Sequence, residues 1–330
     1  MIPAPEFIPS PPGGGCPEGG EEGTTVPSAT RVPSPPVPPP AGEGSVRLVG
    51  FLQSASAHLQ QALGLDRREA RLEAQILIAH ALGVERAWLI AHDRDALSPG
   101  QSKTIERFVA RRERGEPVAY ILGEKEFYGR GFRVTPDVLI PRPETELLVE
   151  AALERLPKDR PASILDLGTG SGCIAITLAK ERPDCQVLAI DASSPALAIA
   201  RGNASRLAAP NVRLLASDWY ARLDTMNFDM ILSNPPYIAD GDPHLGIGGL
   251  PHEPRQALAS GPAGMEAILA IVTGVRDHLL PGGWLILEHG YDQADTCGAL
   301  LMQAGLEHIF TLADLGGQSR VTGGAWAGRP

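Results

Sequence analysis

Asn234-Pro235-Pro236-Tyr237 sets an amide, two prolines and a phenol directly behind the run Phe228-Asp229-Met230-Ile231-Leu232-Ser233. Proline donates nothing to a sheet ladder, so a strand through this run must stop at Ser233 or Asn234. The two prolines then hold the exit backbone nearly rigid. An amide and a ring on a rigid exit suit recognition or chemistry better than they suit a connection. A second group lies upstream, in Ile164-Leu165-Asp166-Leu167-Gly168-Thr169-Gly170-Ser171-Gly172. Here the glycines follow a strand and open a helix. They allow a sharp turn and close approach of a ligand, and the helix N-terminus adds partial positive charge. Asp191 ends the next strand, 23 positions after Gly168, where an acid would accept hydrogen bonds from ribose hydroxyls. Strand, loop, helix and acid in register point to a nucleoside-binding site. A plain strand-helix turn is the weaker alternative.

The spacing is G-x-G-x-G, not the G-x-G-x-x-G of dinucleotide sites. It resembles the first motif of S-adenosylmethionine-dependent methyltransferases, with Asp166 as the acid before the glycines. Thr169 and Ser171 complete the loop. Ser217-Asp218-Trp219 fits the adenine side of such sites, with Trp219 either stacking on the base or serving as a core aromatic. Asn-Pro-Pro-Tyr after the fourth strand resembles the methyltransferases that act on a planar nitrogen: adenine N6, cytosine N4 or the glutamine side-chain amide.

Residues 127–150 narrow this choice. Phe127-Tyr128-Gly129, Val134, Ile140-Pro141-Arg142-Pro143 and Glu144-Thr145-Glu146 resemble the peptide chain release factor glutamine methyltransferases (the PrmC/HemK family). So do His252–Leu258 and Asp314–Gly324, and the resemblance spans about residues 47–327. It implies methyl transfer from S-adenosylmethionine to the glutamine of the Gly-Gly-Gln loop of class 1 release factors. Gly168, Thr169, Gly170, Ser171, Gly172, Asp191, Trp219 and Asn234 would hold the cofactor. Asn234, Pro235, Pro236 and Tyr237 would hold the glutamine amide, with Asn234, Pro235 and Tyr237 as the catalytic set. The Asn234 oxygen and the Pro235 carbonyl would accept the two N–H bonds, and the Tyr237 ring would lie on the amide face. The sulfonium leaves as a neutral thioether, so no metal is expected.

Glu144 and Thr145 are cofactor or loop contacts, or helix caps. Glu253 and Arg255 order the lid after Tyr237, or form a surface ion pair. His244 and His252 are solvated loop residues. Gly316-Gly317-Gln318 is a hairpin turn, not a substrate mimic. Ribosomal-protein glutamine methylation is the nearest rival, disfavoured by Pro143-Glu144. A DNA adenine methyltransferase shares Asn-Pro-Pro-Tyr but needs a basic recognition region. A protein that merely retains the cofactor would not need Asn234 and Tyr237.

The elements that must position these residues are legible as a pattern. From about residue 140, strands and helices alternate, which implies parallel crossovers and a doubly wound, Rossmann-like α/β sheet. A final antiparallel hairpin closes it. The methyltransferase domain is expected over 139–330, and a hairpin linker over 118–138. Residues 46–117 read as a small helical bundle that docks the release factor. Two of its helices stop at glycine, Leu72, Ile76 and Ala79 mark a buried stripe, and Ser98-Pro99-Gly100-Gln101 has the form of a capping box. Residues 1–45 are Pro/Gly-rich and expected to be disordered. A mis-assigned start, with translation beginning near Val46, is the alternative explanation.

The net charge of −10 argues against a surface built to neutralise nucleic-acid phosphates. No apolar run is long enough to span a membrane. Cys16, Cys173, Cys185 and Cys297 form no CxxC pair, which fits a reducing compartment. The expectation is therefore a monomer of the bacterial cytoplasm.

Overall fold

The structure, a computed structural model, describes residues 47–328. The expectation for residues 1–45 lies outside the described residues. The helical region holds α1 (Leu48–Leu63), α2 (Arg67–Leu82), α3 (Arg86–Ala91), α4 (Pro99–Glu113) and α5 (Val118–Leu122). α1 and α2 stop at Gly64 and Gly83, as expected. α4 starts with the full capping box: the Ser98 hydroxyl accepts from the Gln101 N–H, and the Gln101 side chain accepts from the Ser98 N–H.

The buried residues of α2 are Ala70, Ala74, Leu77, Ile78 and Ala79, a row displaced from the one expected from the sequence. Leu72 is 41% exposed and only Ala79 of the expected trio is buried. The apolar face is wide, so a neighbouring row shows the same spacing; the flanking helices decide which row is covered. Leu59, Leu77, Ile78 and Ile105 share this core, each fully buried. Each stabilises by roughly 1.5–3 kcal/mol.

The hairpin is β1 (Glu124–Phe127) and β2 (Arg130–Arg133). Tyr128 and Gly129 make its turn with φ of 51° and 71°, the positive pair that matches strand twist. Helix α5 precedes it inside the expected linker. Phe127 and Phe132 meet edge to face at 6.1 Å and join the core of the sheet domain, so the hairpin is part of that core.

The sheet domain continues with α6 (Glu146–Arg155), β3 (Ser163–Leu167), α7 (Cys173–Glu181), β4 (Gln186–Asp191), α8 (Ser194–Arg206), β5 (Val212–Ala216), β6 (Phe228–Ser233), α9 (Glu266–Gly274), β7 (Leu279–Glu288), α10 (Ala294–Gln303), β8 (Leu306–Ala313) and β9 (Ser319–Trp326). The strand order is β5-β4-β3-β6-β7-β9-β8. β5 through β7 are parallel, and β9 runs antiparallel between β7 and β8. This is the doubly wound sheet with a final antiparallel hairpin. Gly316-Gly317-Gln318 lies in the β8–β9 turn, where the Asp314 carboxylate accepts the Gly316 and Gln318 N–H groups.

β3 and β6 are apolar throughout because both faces are covered. Ile164, Met230 and Leu232 pack with α6 and α7. Leu165, Leu167 and Ile231 pack with α9 and α10. β3 leads through α7 to β4 on one side, while β6 pairs it on the other. This is the switch point where doubly wound sheets open a crevice at their carboxyl ends. Leu167 pairs with Ser233 there, and the Ser233 hydroxyl donates to the Leu167 carbonyl at 2.7 Å. The two residues that follow are Gly168 and Asn234, so the glycine loop and Asn-Pro-Pro-Tyr leave the sheet side by side.

Candidate active site

The glycine loop is tied to the end of β4. The Gly168 and Thr169 N–H groups donate to the Ile190 carbonyl at 3.0 and 2.8 Å. The Gly170 N–H donates to Asp191 Oδ2 at 2.9 Å. Gly172 has φ of 83°, and a Cβ there would lie 2.8 Å from Ile176 Cδ1. Glycine at 172 is thus a packing requirement. A Cβ on Gly170 would meet nothing within 4 Å. That open side is where a ligand can approach the backbone.

Below the loop, Asp166 is fully buried and takes a 2.6 Å hydrogen bond from the Thr169 hydroxyl. Burial pushes its carboxyl up to about 7. The Ser171 carbonyl accepts from Asn203 Nδ2, and the Asn203 amide also bonds the backbone of Arg133, so α8 links β2 to the loop. Asp191 Oδ1 accepts the Ser193 N–H at 2.8 Å. Each Asp191 oxygen keeps a lone pair for a ligand hydroxyl. Burial raises this carboxyl above the usual range despite both backbone bonds.

Trp219 has φ of 41°, an uncommon value for a non-glycine residue. The Ser217 hydroxyl donates to the Trp219 carbonyl and accepts the Arg222 N–H, which holds the turn. The ring edge stands over the loop: a Cβ on Gly168 would sit 3.9 Å from Trp219 Cζ3. Trp219 both lines the cleft and packs against the core.

One cleft of about 180 Å³ runs along these elements. Gly168, Thr169, Gly170, Ser171, Asp191, Trp219, Asn234 and Pro236 line it, joined by Pro141 and Thr145. Gly172, Pro235 and Tyr237 are not among its lining residues. Loop backbone, an acid with spare lone pairs and an indole on one wall fit an adenosine-containing cofactor.

The amide of Asn234 is oriented. Its Nδ2 donates to Thr145 Oγ1 at 3.1 Å. This leaves Oδ1 as the group without a protein hydrogen bond. Thr145 makes no cap bond to α6, so its hydroxyl serves the loop. The Tyr237 hydroxyl lies 3.4 Å from Glu288 Oε1, and the Tyr237 carbonyl accepts from Gln293 Nε2 at 3.0 Å. Burial raises the Tyr237 phenol above its ordinary range.

The lid follows as three 3-10 turns, Pro243–Gly246, Leu250–His252 and Arg255–Ala257. Glu253 fastens it. Its buried carboxylate accepts the Ile140 N–H at 3.0 Å and pairs with Arg142 at 2.5 Å. Arg255 is the surface ion pair, exposed and 3.6 Å from Asp240. His244 is exposed against Asp242. His252 lies against Gly115, where a Cβ would sit 3.2 Å from its Nε2.

Sequence reasoning missed Glu288, which is 1% exposed. Its only signal is an acid closing the apolar run Leu285-Ile286-Leu287. Asn203 and Gln293 were missed as well, and a single sequence marks neither.

Two family models match the chain: PrmC N-terminal domain over residues 51–123 and Methyltransferase small domain over residues 144–261. The release factor glutamine methyltransferase of Bordetella pertussis is 51% identical over 255 residues, 77% of this chain and 94% of that protein. The release factor glutamine methyltransferase of Escherichia coli (strain K12) is 41% identical over 276 residues, 84% of this chain and 98% of that protein. Among solved structures, the hMettl16 catalytic domain in complex with MAT2A 3'UTR hairpin 6 shares the fold. The TM-score is 0.50 at 15% identity, over 68% of this chain and 82% of that one.

Proposed function

Since the chain belongs to the release factor glutamine methyltransferase family, we propose that it methylates the glutamine of the Gly-Gly-Gln motif in class 1 release factors, on the side-chain amide nitrogen. The observation that carries this reading is the Asn234 amide, held through Nδ2 by Thr145 with its oxygen left to accept.

When bound, S-adenosylmethionine would supply an electrophilic methyl group, its sulfonium becoming the neutral thioether of S-adenosylhomocysteine. Gly168, Thr169, Gly170, Ser171, Asp191 and Asn234 would hold it, with Trp219 available to the base; Gly172 keeps the turn of the loop. The chain's own work is done on the amide. An amide nitrogen is a poor nucleophile because its lone pair is delocalised. Asn234 Oδ1 and the Pro235 carbonyl accept its two N–H bonds and favour the pyramidal form. Pro235 and Pro236 keep these acceptors rigid, and Tyr237 supports the planar group. Positioning of this kind lowers a barrier by roughly 7–11 kcal/mol at best. The extra proton leaves after transfer, so no histidine is required.

The helical region, residues 46–117, docks the release factor, with 118–138 as the connection and 139–330 as the transfer domain. The chain works as a monomer in the cytoplasm and does not bind nucleic acid directly. Asn234→Ala tests the reading. Methyl transfer to release factor falls by about 10²–10³-fold, the scale of losing one aligned hydrogen-bonding group at a reacting centre. S-adenosylmethionine binding by calorimetry weakens by far less, because the glycine loop and Asp191 remain. Full transfer by Asn234→Ala would refute the amide-holding mechanism.

A further inference from the structure

The β8–β9 turn carries Gly316-Gly317-Gln318, the same three residues in the same order as the motif whose glutamine this family methylates. All three are exposed, and Leu315 before them is fully so. The turn itself accounts for the two glycines. Gly317 has φ of 78°, and a Cβ on Gly316 would sit 3.1 Å from Asp314 Oδ1. It does not account for the Gln318 side chain. Only the backbone of Gln318 is used: its N–H donates to Asp314 Oδ1 at 2.9 Å, and its carbonyl accepts the Asp314 N–H at 2.8 Å. Its side-chain amide makes no hydrogen bond among the described residues.

The topology puts this turn on the edge of the sheet that holds the cleft. β9 runs antiparallel to β7, with Val321 opposite Glu288, and the His289 N–H donates to the Arg320 carbonyl at 2.9 Å. The residues just before Arg320 therefore project past the carboxyl end of β7. Glu288 at that end accepts from the Tyr237 hydroxyl at 3.4 Å. Yet the turn does not serve its own cleft. β7 stands between β9 and β6, a lateral separation of about 10 Å for two strand spacings. The turn is also fastened on itself: Ala313 pairs with Ser319, and the Asp314 carboxylate accepts from Gly316, Gln318 and Arg320. Within one molecule it is a hairpin turn and no mimic of a bound substrate. Toward another molecule it presents an unengaged glutamine amide behind two residues that have no side chains.

We propose that Gln318 is a methyl-acceptor site, modified in the cleft of a second copy of this chain. The bond from sulfonium sulfur to methyl breaks, and a bond from the methyl carbon to Gln318 Nε2 forms. The amide nitrogen gives up one proton to solvent, and the cofactor leaves as the neutral thioether. Turn and cleft share one edge, so two molecules meeting edge to edge about a twofold axis offer each Gln318 to the other's Asn234. The encounter is brief and needs no stable dimer. The inference rests on the amide-substrate reading above.

The test gives purified wild-type protein labelled S-adenosylmethionine and no other protein, then maps the label by peptide mass. Label appears on the peptide holding Gln318. Tenfold dilution lowers the rate per molecule about tenfold, because the encounter of two molecules sets it. Two variants separate donor from acceptor. Gln318→Glu lacks the acceptor amide and methylates release factor as the wild type does, since residue 318 is not among the cleft lining. Asn234→Ala keeps the acceptor and has lost most of its transfer. Alone, each leaves the peptide nearly unlabelled; mixed, they label the Asn234→Ala chain, which mass distinguishes from its partner. A wild type that methylates release factor but leaves Gln318 unmodified would overturn the inference alone. So would a mixture that stays unlabelled, or a rate per molecule indifferent to dilution. Label on Gln318 with none on release factor would instead defeat the release-factor reading and keep the inference; label on neither would defeat both.

Discussion

Asn234 is useful only when its amide faces one way, and the Thr145 hydroxyl, which accepts from Nδ2, gives it that direction. Glu288, buried at the end of β7 beside this loop, has a thermodynamic consequence of its own. The Glu288 carboxyl is raised from 4.5 to about 7 by burial. Between those values the unfolded chain releases the proton while the folded chain holds it, so folding stability falls as pH rises through the window. Above about pH 7 the loss is complete. Asp166 contributes with the same sign, from 3.8 to about 7. The urea midpoint of the wild type is therefore lower at pH 8 than at pH 5. The drop shrinks in Glu288→Gln without vanishing, because Asp166 remains; an unchanged drop would contradict the assignment. At this scale the sequence was informative where chemistry is contiguous. Gly168 to Gly172, Asp191 and Asn234 to Tyr237 were all readable as motifs. Glu288 was not readable as the partner of Tyr237, because 51 positions separate them in the chain and only the placement of β7 beside β6 brings them together.

Elements show the same division. Alternating strands and helices gave the doubly wound sheet, and turn chemistry gave both hairpins. Helix α6 went unread because its start, Pro143-Glu144-Thr145, was absorbed into a motif, and α5 because it is one short turn ahead of the β1–β2 hairpin. The stripe on α2 was displaced because periodicity gives a face, whereas contact with α1 and α4 selects the row. The lid carried even less signal, since its order comes from Glu253 reaching back to Ile140 and Arg142. That contact predicts a split effect. Glu253→Ala removes a buried acceptor and one partner of a half-buried ion pair, a loss of about 1–3 kcal/mol. It lowers Tm and raises KM for release factor more than it lowers kcat. A variant with unchanged KM would show that the lid is ordered by other contacts.

At the scale of the whole molecule, two cores sandwich one sheet and a separate helical core precedes them. The switch point between β3 and β6 makes one crevice out of motifs 66 residues apart, Gly168 and Asn234. The global fold followed from the sequence because each layer repeats a simple hydrophobic period. The choice of substrate did not follow from the period, and rested on residues 127–150 and their resemblance to one family. The most direct test of the account is therefore the destination of the methyl group. Wild-type protein is given labelled S-adenosylmethionine with purified class 1 release factor, ribosomal protein and duplex DNA in separate reactions, and the products are mapped by peptide mass. Of the three, the account predicts label on release factor alone, on the glutamine of Gly-Gly-Gln. Label on ribosomal protein or DNA, with release factor unmodified, would contradict it.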